Sequence, residues 1–293
     1  MKGLASLPMY DFPELERAHR ALWRAIRTRI AALLSEQKEP DVPMARGLPE
    51  HLARPADHYL HWENPALVFS QTCGLPFLTR LLGRARIIGT PRYDAEGTIG
   101  HDYSSAWVVR SAERTWSWEA RRRGRIAVNR PDSYSGLVAP KADLARRFPE
   151  ARRDGGAERR PFFSSLAWSG SHRRSVRRVR EGRADIAAVD AVTWALLERH
   201  VPGETAGLTV LEFTRPAPGL PYVTSASTPP RVLETLRLAV SSAIGAPALA
   251  PARATLLLEG LDGTDEVEYE RLRPDIAAAS DLTLGPEEAD GPI

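Results

Sequence analysis

The chain has 293 residues, 43% hydrophobic and 26% charged, with 40 basic against 37 acidic side chains and a formal net charge of +3. That length exceeds one ordinary domain and that composition is typical of globular proteins, so a disordered or fibrous chain is excluded. The single cysteine, Cys73, rules out an internal disulfide and a cysteine-based metal site, and no stretch is long and apolar enough to cross a bilayer as a helix.

The first residues, Leu4-Ala5-Ser6-Leu7, read as a short strand that ends at Met9-Tyr10-Asp11. A helix is expected over residues 13–35. Pro13 suits its first position, Glu14 and Glu16 suit its positive end, and Leu15, Ala18, Leu22, Ile26, Ile30 and Leu33 form one apolar stripe. Residues 36–56 are rich in proline and charge and read as a connection, with a short helix near 49–53. Strands follow at 66–69, 86–89, 106–109, 125–128, 165–168, 185–190, 208–213 and 221–226. Helices are expected at 75–82, from 137, from 172 to Gly182, at 191–197, 230–244, 251–261 and 269–279. Residues 282–293 are acidic and proline-rich and read as a disordered tail.

Nearly all of the basic residues are arginines; the lysines are Lys2, Lys38 and Lys141. The densest basic run is residues 173–180. Val176 and Val179 share a helical face with His172 and the arginines lie off it, so this is a solvated helix face and no nucleic-acid partner is expected. The first ten residues are too short and too quickly polar for a secretory signal. The expected location is therefore extracytoplasmic or periplasmic if a leader precedes the given start, and cytoplasmic otherwise.

Strand and helix alternate along most of the chain, which predicts an α/β protein with parallel sheets. In such sheets ligands bind beyond the carboxyl ends of the strands. Several turns at expected strand ends carry hydroxyls: Tyr10, Gln71-Thr72, Ser133-Tyr134-Ser135, and Ser169-Gly170-Ser171-His172; Asp190 ends a further strand. The stretch Asp132-Ser133-Tyr134-Ser135-Gly136 lies between a strand and a helix, where free backbone N–H groups and the positive helix end favour an anion. Each of these residues also has a plainer role. Ser133, Ser135 or Asp190 can cap a helix, Gln71 and Thr72 can satisfy strand-end backbone groups, and Tyr10 and Tyr103 can be core aromatics. His101 and Asp102 are adjacent, but no third residue at metal-ligand spacing accompanies them, so no metal site is expected.

An ordered set of segments carries a family resemblance. These are residues 5–11, 70–74, 128–136, 170–175, 182–190 and 218–223. Together they resemble the phosphate/phosphonate group of ABC-transporter substrate-binding proteins, which have the type II periplasmic-binding fold. The resemblance implies two lobes, each a mixed sheet flanked by helices, with a small anion held in a cleft between them and trapped by hinge closure. It implies lobe 1 from residues 1–90 plus 206–293 and lobe 2 from 91–205. It also implies a monomer without a cofactor that partners an ABC permease. Ser133, Ser135 and His172 match the positions that grip the phosphonate, and Tyr10, Tyr103 and Asp190 fall near those that shape the other end of the ligand. Tyr134 stands where the resembling proteins carry a small hydroxyl residue, and its ring is expected to narrow the pocket. One acidic residue that binds a ligand amine has no counterpart, which leaves plain oxyanions and other small acids open. The expected ligand contacts are thus Tyr10, Gln71, Thr72, Tyr103, Ser133, Tyr134, Ser135, His172 and Asp190. The expected function is capture of a phosphate, phosphonate or similar oxyanion without catalysis. The alternative is a cytosolic enzyme or ligand sensor on the same fold, with His172, Asp190 or Tyr10 as acid–base groups.

Overall fold

A computed structural model describes residues 3–37, 47–151 and 161–288. In chain order the strands are β1 (Leu4–Ala5), β2 (Leu67–Gln71), β3 (Ala85–Tyr93), β4 (Ser105–Arg110), β5 (Arg125–Val128), β6 (Ser165–Trp168), β7 (Ile186–Asp190), β8 (Leu208–Phe213), β9 (Tyr222–Ser225) and β10 (Leu258–Asp262). The longer helices are α1 (Glu16–Gln37), α2 (Ala139–Arg147), α3 (His172–Arg180), α4 (Ala191–His200), α5 (Pro230–Gly245), α6 (Ala250–Leu256) and α7 (Arg273–Ser280). Shorter turns of helix and two-residue strands fall between these. The described chain divides into two compact units. Unit 1 takes residues up to Asp94, Gly100–Asp102 and Pro218–Glu270; unit 2 takes Ala95–Ile99, Tyr103–Ala217 and the residues from Arg271 on.

In unit 1 the sheet order is β1-β2-β9-β3-β10. β1 and β2 are parallel, whereas β9 runs antiparallel to β2 and β3, and β10 antiparallel to β3. Of the expected stripe, Leu15, just before α1, and Leu22, Ile26 and Ile30 are each at most 1% exposed and Ala18 6%, whereas Leu33 is only half-buried; Trp23, outside the stripe, is 1% exposed. The helix packs on α5 and α6, and the Trp23 ring stacks on Phe69 of β2 with centroids 5.7 Å apart. Each such side chain contributes about 1.5–3 kcal/mol by leaving water.

The structure departs from the sequence expectations at several places. Residues 49–53 form no helix; Ala53 bridges to Ser6 instead, and residues 38–46 lie outside the described residues. The helix expected through 261 stops at Leu256. Leu257 takes a left-handed conformation (φ 55°) and the chain then runs as β10. An apolar run of this length suits helix or strand locally, and the free backbone groups along β3 decide the matter by recruiting it as a partner. The unit 1 sheet is accordingly mixed rather than parallel.

In unit 2 the order is β8-β4-β7-β5-β6. β5 is parallel to β6 and β7, and β4 is antiparallel to β7 and β8. Its core combines Trp107, Val109, Ile126, Val128, Phe162 and Ile186 with Leu282 and Leu284. Arg110 of β4 and Arg125 of β5 both reach Asp185, at 2.8 and 3.0 Å, beside the start of β7. Burial works to raise the Asp185 carboxyl, but these hydrogen bonds hold it down at about 2.

The C-terminal stretch up to Glu288 pairs along its backbone with residues 162–166. The amides of Phe162 and Phe163 donate to the carbonyls of Thr283 and Leu284 at 2.9 and 2.6 Å, and Leu166 and Glu288 close the ladder on both sides. Residues 282–288 thus cover the outer edge of β6 and place two leucines, 2% and 3% exposed, in the core. An edge strand needs backbone partners, and the acidic composition of the stretch hides that pairing. Residues 289–293 lie outside the described residues. Residues 208–217 and those from 271 on also belong with unit 2 rather than with the N-terminal stretch. β8 pairs with β4 in register Leu208↔Arg110, and α7 packs on α2.

Candidate functional site

Because β5, β6 and β7 are parallel, their carboxyl ends open on one edge of the unit 2 sheet. Antiparallel β4 begins on the same edge, with Ser105 opposite Asp190. β5 lies between β6 and β7, so the strand order reverses beside it, which is where open α/β sheets bind ligands. The residues delivered to this edge are Tyr103–Ser105, the turn after β5, Ser169–His172 after β6, and Asp190 after β7.

The turn after β5 runs straight into a helical turn, Tyr134–Val138, which continues as α2. Ser133 is extended (φ −90°, ψ 126°), and its Oγ accepts from the Gly136 amide at 3.0 Å. Ser135 is 3% exposed. Its carbonyl accepts from Ser105 Oγ at 2.8 Å, and its own Oγ lies 2.9 Å from Nε2 of His172. Gly136 is required by close approach. A Cβ there would fall 1.8 Å from Oδ1 of Asn129 and 3.2 Å from Cε1 of His172.

His172 opens α3, whose N-cap Ser171 accepts from the Arg174 amide at 3.2 Å. Burial pushes its pKa down to about 4, with the Ala188 backbone acting the other way, and among the described residues Nδ1 has no partner of hydrogen-bonding geometry. The ring is therefore neutral near pH 7. Ser135 Oγ stands within hydrogen-bonding distance of Nε2, and the ring's tautomer sets which of the two donates. Asp190, 2% exposed, accepts from the Thr193 amide at 2.7 Å and caps α4.

Tyr134 points elsewhere than expected from its place in the turn. Its hydroxyl donates to Oδ2 of Asp275 at 2.5 Å, while Arg146 Nη1 donates to Oδ1 of the same carboxylate at 2.5 Å. The Tyr103 ring, 4% exposed, lies 6.4 Å from that of Tyr134.

The remaining candidates gather in unit 1, at the corresponding edge of its own sheet. Tyr10, 4% exposed, meets Tyr93 edge-on with centroids 5.4 Å apart. Gln71 Nε2 donates to the Tyr93 hydroxyl and to the Leu220 carbonyl, both at 3.2 Å. Thr72 is fully buried, and its amide donates to the Pro221 carbonyl at 3.1 Å. Unit 1 also holds a cluster of potential metal ligands among the described residues, His101, Asp102 and Glu268.

Three participants of the unit 2 edge were not singled out in the sequence. Asn129 adjoins the hydroxyl turn and could have been found there; its buried Oδ1 lacks a hydrogen-bond partner among the described residues. Ser105 lies two residues after Tyr103 and begins a strand rather than ending one. Asp275 lies 141 positions from Tyr134 in an unremarkable helix, and no local signal marks it.

Comparison with protein-family models matches residues 76–267 to the family described as ABC transporter, phosphonate, periplasmic substrate-binding protein. No curated protein matches the chain. Several solved structures share its fold. PhnD1 from Prochlorococcus marinus, solved with methylphosphonate, is 15% identical, with 95% of this chain and 98% of that one covered and a TM-score of 0.66. A binding protein component of an ABC phosphonate transporter from Pseudomonas aeruginosa is 14% identical, with 94% and 88% covered and a TM-score of 0.66. A Xanthomonas citri protein solved with ATP is 18% identical, with 95% and 97% covered and a TM-score of 0.63. At such identities the likeness is one of fold, the type II periplasmic-binding fold. The family match spans well over half of the chain, and the protein belongs to the periplasmic substrate-binding proteins of phosphonate ABC transporters.

Proposed function

We propose that the strand-end edge of unit 2 binds a phosphonate or related small oxyanion. The chain passes this ligand to an ABC permease outside the cytoplasm, as a monomer and without catalysis. Family membership supports a transport role, and the Prochlorococcus relative with methylphosphonate gives the reading its first test ligand. The observation that carries it is the Ser135–His172 pair beside the start of a helix that runs from Tyr134 to Arg147.

The helix start supplies N–H donors and a positive field. Ser135 adds a hydroxyl, which in the free protein points its hydrogen at the neutral imidazole when Nδ1 carries the ring proton. An arriving anion reverses the balance that keeps His172 neutral, because an adjacent negative charge favours the imidazolium. Once protonated, Nε2 becomes a donor and Ser135 Oγ an acceptor, so the hydroxyl hydrogen is released to the anion. Binding therefore takes up a proton on His172, and affinity rises as pH falls from neutrality toward the free-state value of about 4. Ser133 and Asp190 then serve as caps that hold the turn and the neighbouring helix start in place.

Isothermal titration with methylphosphonate, phosphate, sulfate and small carboxylates tests this. Methylphosphonate binding should show a heat that varies with buffer ionisation, which reports proton uptake. Ser135→Ala should weaken binding about 10–100-fold, the worth of a hydrogen bond to a charged group. Folded protein that gives no heat with any of these anions refutes the proposal.

A further inference from the structure

His101 and Asp102 are neighbours in sequence, and the fold of unit 1 brings a third donor to them. Glu268, 167 positions away, places Oε1 3.1 Å from Nε2 of His101. Oδ1 of Asp102 lies 3.7 Å from the same nitrogen. The donor atoms of His101, Asp102 and Glu268 all lie within 4.8 Å of one another. Ligand atoms on a tetrahedral Zn2+, with bonds of about 2.0–2.1 Å, stand about 3.3 Å apart. The spacings found here bracket that value.

The second nitrogen is also in the arrangement that zinc sites use. Nδ1 of His101 is hydrogen-bonded to Oδ2 of Asp262 at 3.0 Å, and Arg92 holds the other oxygen of that carboxylate. A carboxylate on Nδ1–H fixes the ring orientation and leaves the Nε2 lone pair for a metal. The backbone beneath is constrained as well. The Gly219 amide donates to the His101 carbonyl at 2.9 Å, and a Cβ at residue 219 would meet that carbonyl oxygen at 2.6 Å. The Gly219 carbonyl in turn accepts from the hydroxyl of Tyr269, next to Glu268, at 3.0 Å. The ligands thus sit on segments tied to each other rather than on independent loops.

We propose that His101, Asp102 and Glu268 form a site for a divalent first-row cation of the zinc class, with Asp262 as the partner that orients His101. One imidazole and two carboxylates favour such an ion over Mg2+ or Ca2+, which prefer oxygen ligands alone. Without metal the same side chains form a hydrogen-bonded cluster around the imidazole. This inference is independent of the anion site, because it concerns other residues and another ligand.

The test is calorimetric titration of the EDTA-stripped full chain with Zn2+, alongside Mg2+, with Co2+ visible absorption as a direct report of coordination. One equivalent of Zn2+ should bind far more tightly than Mg2+, and Co2+ should give the intense bands of a four-coordinate site. His101→Ala and Glu268→Gln should each weaken Zn2+ binding at least tenfold and abolish those bands. Asp262→Asn leaves all three ligands in place and should weaken binding about 10–100-fold. Circular dichroism checks the folding of each variant, and the conservative Glu268→Gln and Asp262→Asn carry the test if His101→Ala unfolds. Wild-type protein that binds no Zn2+, or folded Glu268→Gln and Asp262→Asn variants that bind it unchanged, overturns the proposal.

Discussion

Tyr134→Phe separates a structural strut from a ligand contact at the centre of the candidate site. The Tyr134 side chain is buried, and its hydroxyl donates to a carboxylate, Asp275, that is itself only 16% exposed. A hydrogen bond to a charged acceptor in such a setting is worth about 1.5–3 kcal/mol. Asp275 retains Arg146 after the substitution, so no carboxylate is left unpaired and the lower half of that range applies, about 1.5–2 kcal/mol. At about 2–4 °C per kcal/mol this lowers the melting temperature by about 3–8 °C. Removing one oxygen creates no clash, so methylphosphonate affinity should stay within about twofold of wild type. Differential scanning calorimetry and isothermal titration read the two quantities. A double-mutant cycle with Asp275→Asn should return a coupling energy of about 0.5–3 kcal/mol. An unchanged melting temperature together with a tenfold loss of affinity would refute the strut and make Tyr134 a ligand contact.

Gly136→Ala drives a Cβ into Oδ1 of Asn129 and should cost about 1–3 kcal/mol with at least a tenfold loss of anion affinity. Removing the obstructing amide in Gly136→Ala/Asn129→Ala should restore part of the stability, as thermal unfolding will show. His19 and His172 are both held at about 4 by burial, against 6.5 for the free side chain. The unfolded chain therefore binds more protons between these values, so stability is full above pH 6.5 and falls as pH drops toward 4. The His19 contribution is up to about 3 kcal/mol. His19 is 8% exposed and lines a cavity of about 330 Å³ with Asp11 and Arg54. His19→Gln should flatten the fall in urea midpoints over that window, and an unaltered slope would contradict the assignment. Leu284→Ala should destabilise unit 2 by about 2–5 kcal/mol; denaturation midpoints equal to wild type would return residues 282–288 to the status of a tail.

Most of the local structure was legible from periodicity. The α1 stripe, the strands β5 and β6, and the basic helix with Gly182 at its end each depend on spacings within a few residues. So did the hydroxyl turn after β5, since a strand, a small polar turn and a helix start lie next to one another in sequence. What stayed hidden depends on partners far along the chain. The run at 257–262 became a strand because β3 offered an edge, and 282–288 became ordered because β6 did.

The sequence by itself determined the alternation of strands and helices, the family, and the turn on which an anion site can be built, because each rests on short-range spacing and residue type. Only the tertiary structure decided that Tyr134 turns to Asp275, that Ser135 faces a neutral His172, and that Glu268 completes a cluster with His101 and Asp102. Such pairings are set by chain closure over more than a hundred residues or by strand ends brought together in a sheet. Neither leaves a mark in the local pattern, so sequence spacing can nominate these side chains but cannot say what they face.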